Sequence, residues 1–319
     1  MNGERILITG GAGFLGSHLA EALLKQFPTA QITILDNFIS GTHEHLKALR
    51  ASVQLIEGDI RDRAVVEEAA RDVDYIFHLA AMPFIPDCYD DPEAFITANV
   101  NGTYNLLRTV IGTSLKAFIH MSTSEVYGSA QYVPIDEKHP TLPRSTYAAS
   151  KLAAENIAFT MAKEHKIPLM IMRSFNFYGP RDTHPRIIPE IIIQFSKGNV
   201  LQLGNINASR DFVYVTDVAQ GLILAALTEN ARGQIINLAT GKEILLKDLI
   251  DMAARVMHKD KYELKLREDR LRPFDVDRLC GSANKAKEII GWVPAVSIEE
   301  GFARTLAWYS EVKRWPFQK

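Results

Sequence analysis

Tyr147 and Lys151 stand four residues apart in Tyr147-Ala148-Ala149-Ser150-Lys151, a spacing that puts two side chains on one helix face. A phenol ionises near pH 10, too high for a base at neutral pH, but a nearby ammonium stabilises the phenolate and lowers that value. The pair could take a proton from a hydroxyl and return it; the plainer alternative is a surface helix pair. Upstream lies Ser122-Thr123-Ser124-Glu125-Val126-Tyr127-Gly128. Thr123 offers a hydroxyl to a sugar hydroxyl. Glu125 offers a carboxylate that, in a partly dry cleft, removes a proton from carbon; otherwise it is an acid that stabilises a turn.

A second constellation sits near the N-terminus. Thr9-Gly10-Gly11-Ala12-Gly13-Phe14-Leu15-Gly16 follows a short apolar run and precedes residues at helical spacing. Such glycines tighten a strand-to-helix turn and let backbone at Gly10, Gly13, Phe14 and Leu15 approach a pyrophosphate at a helix N-terminus. Asp36 follows Gly16 by 20 residues, the spacing of a carboxylate that holds adenosine ribose hydroxyls. It repels a 2′-phosphate, and Asn37 rather than an arginine comes next, so NAD is expected over NADP. Asp59, with Ile60, is placed to reach the adenine; as an alternative compatible with this, Asp59 caps the helix that follows.

These groups need a scaffold that brings them to one edge. Apolar runs at 6–8, 32–35, 53–56, 75–79 and 117–121 are too short for helices and rich in β-branched or aromatic residues, so they read as strands. A sixth strand is predicted at Leu169 to Ser174, after a helix from about Ser145 to His165. Segments at helical spacing, such as Leu15, Leu19, Ala22 and Leu23, lie between them. This alternation predicts an α/β fold, a Rossmann-type doubly wound parallel sheet with its chemistry on the loop edge. From about residue 180 the pattern loosens into a smaller mixed lobe, so the expected division is 1–179 and 180–319, with later segments free to return to the first.

The chain has 319 residues, 36 Lys and Arg against 38 Asp and Glu, and 47% hydrophobic residues. That balance suits a folded globular protein and gives no support to nucleic-acid binding. The apolar runs fall short of the ~20 residues of a membrane span, and the N-terminal run is too short for a signal-peptide core. Cys88 and Cys280 stand apart with no metal-ligand pattern around them. No metal and no membrane are expected, and a reduced cytoplasm is the expected compartment.

Together these motifs resemble the extended short-chain dehydrogenase/reductase family, in particular its nucleotide-sugar epimerases and dehydratases. The resemblance spans nearly the whole chain. It also takes in His78-Leu79-Ala80-Ala81, Asn99-Val100-Asn101-Gly102-Thr103, Arg173 to Pro180, Arg210 to Val218 and Arg272-Pro273. It implies NAD along Leu79, Ala80, Ala81 and Asn99, and a catalytic set of Thr123, Ser124, Glu125, Tyr147 and Lys151. It implies a nucleotide sugar held by Asn176, Arg186, Ile187, Gln202, Leu203, Arg210 and Arg272. Glu125 stands where 4,6-dehydratases keep the base for sugar C5, whereas epimerases have a small residue there. The resemblance therefore implies a 4,6-dehydratase on a UDP- or GDP-linked hexose or N-acetylhexosamine. C4 epimerisation, UDP-glucuronate decarboxylation and 5,6-dehydration remain alternatives on the same scaffold. A homodimer is implied as well, through the helices at about 92–112 and 145–165; Leu106, Val110, Leu152 and Phe159 are the apolar positions that would not all face one sheet.

Overall fold

Ile6, Leu7 and Ile8 are all fully buried, although successive strand residues point to opposite faces, so the sheet that they begin is covered on both sides. The computed structural model describes residues 1–271 and 274–311. The strands are β1 (Arg5–Thr9), β2 (Gln31–Asp36), β3 (Val53–Glu57), β4 (Tyr75–His78), β5 (Ala117–Thr123), β6 (Leu169–Ser174), β7 (Asn176–Tyr178), β8 (Val200–Leu203), β9 (Ser209–Tyr214), β10 (Ile235–Leu238), β11 (Glu243–Leu245), β12 (Glu263–Leu266) and β13 (Arg278–Leu279). The helices are α1 (Phe14–Gln26), α2 (Arg63–Ala69), α3 (Asp87–Asp90), α4 (Pro92–Ile96), α5 (Thr103–Thr109), α6 (Thr146–His165), α7 (Ile187–Lys197), α8 (Val215–Leu227), α9 (Leu246–Val256), α10 (Asn284–Ile290) and α11 (Ile298–Glu311).

The main sheet has seven parallel strands in the order β10-β6-β5-β4-β1-β2-β3. Strand order reverses between β1 and β4, which opens a crevice beyond the strand ends, the place where such sheets bind ligands. One face packs on α1 and α8 through Leu19, Leu23, Val218 and Leu222; the other packs on α2, α5 and α6 through Val66, Leu106 and Ala158. The sheet is thus the doubly wound parallel one predicted, with the six expected strands as β1 to β6.

A second core gathers Ile188, Ile191, Leu201, Leu249 and Phe302 from α7, β8, α9 and α11. There β9 pairs with β7, β11 and β13, and β8 pairs with β12. Between these elements the chain returns to the first lobe: α8 lies against α1, and β10 extends the main sheet beside β6.

The helix expected at 92–112 is α4 and α5 joined by a π-helical turn at Thr97–Gly102. Leu106 and Val110 point into the core under the sheet and are fully or nearly fully buried, contrary to their expected place at an interface. Leu152 is half-buried against the core, and Phe159 is exposed. Among the described residues no helix is long and apolar enough to cross a membrane.

Candidate active site

Loops after β1 to β6 and residues of the second lobe enclose a cleft of about 710 Å³. Gly10, Gly13, Phe14, Leu15, Asp36, Asn37, Asp59, Ile60, Leu79, Ala80 and Ala81 line it from the loops after β1 to β4, and Thr123, Ser124, Glu125, Tyr147 and Lys151 line it from the end of β5 and the start of α6. Asn176, Arg186, Ile187, Leu203 and Arg210 line it as well.

The glycine turn leaves no room for side chains. Gly10 has φ +74°, and a Cβ there would stand 2.7 Å from the Ala80 amide nitrogen; one on Gly16 would stand 2.2 Å from the Gly10 carbonyl oxygen. The first turn of α1 has neither a capping side chain nor an acid, so its amide N–H groups and dipole favour an anion. Asp36, buried at the end of β2, accepts hydrogen bonds from the amides of Ala12 (2.9 Å) and Phe38 (2.8 Å). Burial pushes its pKa up and those amides oppose the shift. Asp59 accepts from Arg61 Nε at 2.9 Å and Nη2 at 2.7 Å, and from Asn37 Nδ2 at 2.8 Å. The Arg61 bonds hold its carboxyl at about 2. Asp59 does not cap α2: Asp62 does, accepting from Ala64 N at 2.9 Å.

Thr123 closes β5 and its hydroxyl accepts from the Glu125 amide at 3.2 Å. Ser124 and Glu125 are buried in the short 3-10 turn that follows. Ser145 caps α6 by accepting from Ala148 N at 3.1 Å, which sets Tyr147 and Lys151 on its first turns. Burial pushes the Tyr147 phenol up to about 12; the hydrogen bond with Thr123 and the Arg186 charge oppose this, and Glu125 adds to it. The expected lowering by Lys151 is therefore not achieved by the protein alone. Arg186 is the cation that favours the phenolate, and the Thr123 hydroxyl meets the tyrosine itself. Lys151 is buried, which takes it down to about 8 against the pull of Glu155.

Two expected residues do not line the cleft. Asn99 sits behind it, its Oδ1 accepting from Met82 N at 2.8 Å and its Nδ2 donating to Ser150 Oγ at 2.9 Å. It braces α6 and the loop after β4. Gln202 points away from Leu203, as strand neighbours must, and is held by Gln194 and Arg267. Arg272 lies outside the described residues.

The remaining partners are set for polar ligands. Arg210 is buried 3.7 Å from Asp275, and Arg186 lies 3.6 Å from Asp182. Asn176 Oδ1 and Asp182 Oδ2 are buried without a hydrogen-bond partner among the described residues. Sequence reasoning missed the wall at Met82–Pro86 and Phe84, which stacks on His184 across the cleft with ring centroids 5.2 Å apart and 7° between planes. The signal available was position: the segment directly follows His78-Leu79-Ala80-Ala81 on the functional edge.

The model of the family described as GDP-mannose 4,6 dehydratase matches residues 7–305. The dTDP-D-glucose 4,6-dehydratase of Homo sapiens is 30% identical over 97% of this chain and 90% of its own. The UDP-N-acetyl-alpha-D-glucosaminuronate decarboxylase of Bacillus cytotoxicus is 31% identical over 97% of this chain and 99% of its own. The crystal structure of UDP-glucuronic acid 4-epimerase from Bacillus cereus, in complex with UDP-glucuronic acid and NAD, superposes with a TM-score of 0.89 at 29% identity, covering 96% of this chain and 99% of that one.

Proposed function

This chain belongs to the GDP-mannose 4,6 dehydratase family, and from that premise we propose that it is an NAD-dependent nucleotide-sugar 4,6-dehydratase. Its substrate is a UDP- or GDP-linked hexose or N-acetylhexosamine. The observation that carries the reading is Glu125, a buried carboxylate lining the same cleft as Tyr147 and electrostatically coupled to it. Two proton-accepting groups in one cleft suit a reaction that moves two different protons.

The residues present fit the cofactor. The glycine turn and α1 would hold its pyrophosphate, Asp36 a ribose, Asp59 and Ile60 the adenine, and Leu79 to Ala81 with Lys151 the nicotinamide half. When bound, NAD supplies the hydride acceptor at C4 and the hydride donor at C6. Tyr147 takes the C4 hydroxyl proton; the Arg186 charge and the Thr123 hydroxyl favour its phenolate, and Lys151 adds to them only with NAD bound. The C4 carbonyl acidifies C5–H, and Glu125 removes that proton. Ser124 is no strong acid, so Glu125 passes its proton to the departing C6 hydroxyl, which leaves as water. C5 then regains a proton from Glu125, recharged by the one that Tyr147 collected or by solvent. Arg210 and Asn176 would hold the diphosphate of the substrate.

The test is a proton NMR time course with UDP-, GDP-, dTDP- and CDP-linked hexoses and N-acetylhexosamines. A new C6 methyl signal without added reductant supports the reading. Inversion at C4 alone would make the protein an epimerase, and loss of carbon dioxide from a uronic acid would make it a decarboxylase. The reading includes a homodimer, since Ile96 on α4, Tyr104 on α5 and Phe159 on α6 leave apolar surface exposed. Light scattering at micromolar concentration should give twice the chain mass; a monomer would refute it.

A further inference from the structure

Glu155 follows Lys151 by four residues on α6, as Lys151 follows Tyr147, so the three share a helix face. Glu155 does not line the cleft, and its side chain is 3% exposed. Arg173 on β6 donates to both of its oxygens, Nε at 3.0 and 3.2 Å and Nη2 at 2.5 Å. The Ser122 hydroxyl on β5 also donates to it. The Arg173 guanidinium lies 4.8 Å over the Tyr127 ring, and the Tyr127 hydroxyl donates to Asn237 on β10 at 2.8 Å. A buried ion pair is often no more stabilising than apolar residues of the same volume, so stability alone does not account for these charges.

We infer that Glu155, clamped by Arg173 and Ser122, is a positioning residue whose fixed anion holds the Lys151 ammonium at the catalytic face. The clamp also ties α6 to the end of β5, so Tyr147 and Lys151 keep register with Thr123 and Glu125. This rests on the Tyr147–Lys151 reading of the site, whichever sugar reaction follows.

The charged and titratable groups that act on Lys151 or are acted on by it are Glu155 on its own helix, His78 on β4 and His120 on β5; Tyr147 and Glu125 line the cleft with it, and Arg173 on β6 is bonded to Glu155. Burial keeps His78 and His120 neutral at working pH. Glu155 is the group whose charge favours the protonated lysine, against the burial that lowers it to about 8.

The experiment titrates Lys151 by NMR in protein labelled at the lysine Cε, with the signal assigned by Lys151→Met, and records kcat and KM across pH. Glu155→Gln keeps the shape and removes the charge; Glu155→Asp keeps the charge and loses a methylene. The Gln variant should titrate below the wild-type midpoint and lose kcat at lower pH on the alkaline side, with KM little changed. Each unit of displacement removes about tenfold of the charged lysine above the midpoint. The Asp variant should keep the wild-type midpoint, even where it is less stable. Should Glu155→Gln fail to fold around an unpaired Arg173, Glu155→Gln combined with Arg173→Met leaves no unpaired charge, and its Lys151 midpoint must lie below that of Arg173→Met alone. Equal midpoints in all variants, or an Asp variant displaced as far as the Gln variant, would overturn the inference. The lysine signal is read without substrate, so a displaced lysine in a protein that turns over no nucleotide sugar would refute the proposed reaction and leave this inference standing.

Discussion

Replacing His78 with glutamine should make the protein less sensitive to acid. The Thr103 hydroxyl donates its proton to the Asn99 carbonyl at 2.6 Å, so it must accept from His78 Nε2 at 2.8 Å. His78 Nδ1 is then an acceptor, facing the Thr9 hydroxyl at 2.8 Å. A neutral ring satisfies both neighbours, and burial lowers the pKa from 6.5 to about 3, with Lys151 acting in the same direction. In the unfolded chain the ring takes up a proton below about 6.5; in the folded chain it does so only near 3. Stability present above pH 6.5 is therefore lost as the pH falls toward 3. Between pH 7.5 and 5.0 the gap of about 1.5 units below the ordinary value costs about 2 kcal/mol, at ~1.4 kcal/mol per unit. Glutamine brings one donor and one acceptor and does not titrate. His18 and His184, each lowered to about 4, push the same way but are common to both proteins, so the comparison isolates His78. Urea unfolding followed by circular dichroism at the two pH values should show wild type losing about 2 kcal/mol more than His78→Gln. Equal losses would refute the neutral, buried histidine.

Glu125→Gln should lose about 10²–10⁴-fold in turnover yet still build up reduced nicotinamide absorbance, whereas Tyr147→Phe should show none; a Gln variant with wild-type turnover would sink the dehydratase mechanism. In heavy water the product should carry deuterium at C5, read by mass spectrometry. Gly16→Ala pushes a Cβ to 2.2 Å from the Gly10 carbonyl, an overpacking worth about 1–3 kcal/mol, and calorimetry should find NAD affinity lost; unaltered binding would contradict the turn described. Asp36→Ala with Asn37→Arg should weaken NAD and admit NADP, and a wild type that already prefers NADP would show that Asp36 has been misread.

What the sequence made legible was local. Runs such as Ile6-Leu7-Ile8 read as strands because a sheet covered on both faces needs no alternation, and the glycine turn, Asp36, Tyr147 and Lys151 each carry a short-range spacing. Leu106 and Val110 were misplaced because a steady helical period was carried across 92–112, while the π-helical turn at Thr97–Gly102 breaks that period. Gln202 was misplaced by one residue of strand parity. The Arg173–Glu155 clamp joins residues 18 apart, and the Phe84–His184 stack joins the two lobes. Pairings of that kind exist only once the sheet order is fixed, and no single-sequence pattern encodes them.

The weave of the chain between lobes limits how such an enzyme can be recombined. A cut after Gly179 would strip β10 from β6, leaving an unpaired strand edge, and would bare the face of α1 that α8 covers. It would also break the 2.7 Å bond from Gln26 to Gln220. The lobe that would hold the sugar is thus not a cassette. A new specificity must arrive as substitutions or loop grafts within 180–214 and 243–279, between crossings that the sheet itself requires, so the substrate pocket can diversify only while the cofactor scaffold keeps its strand count.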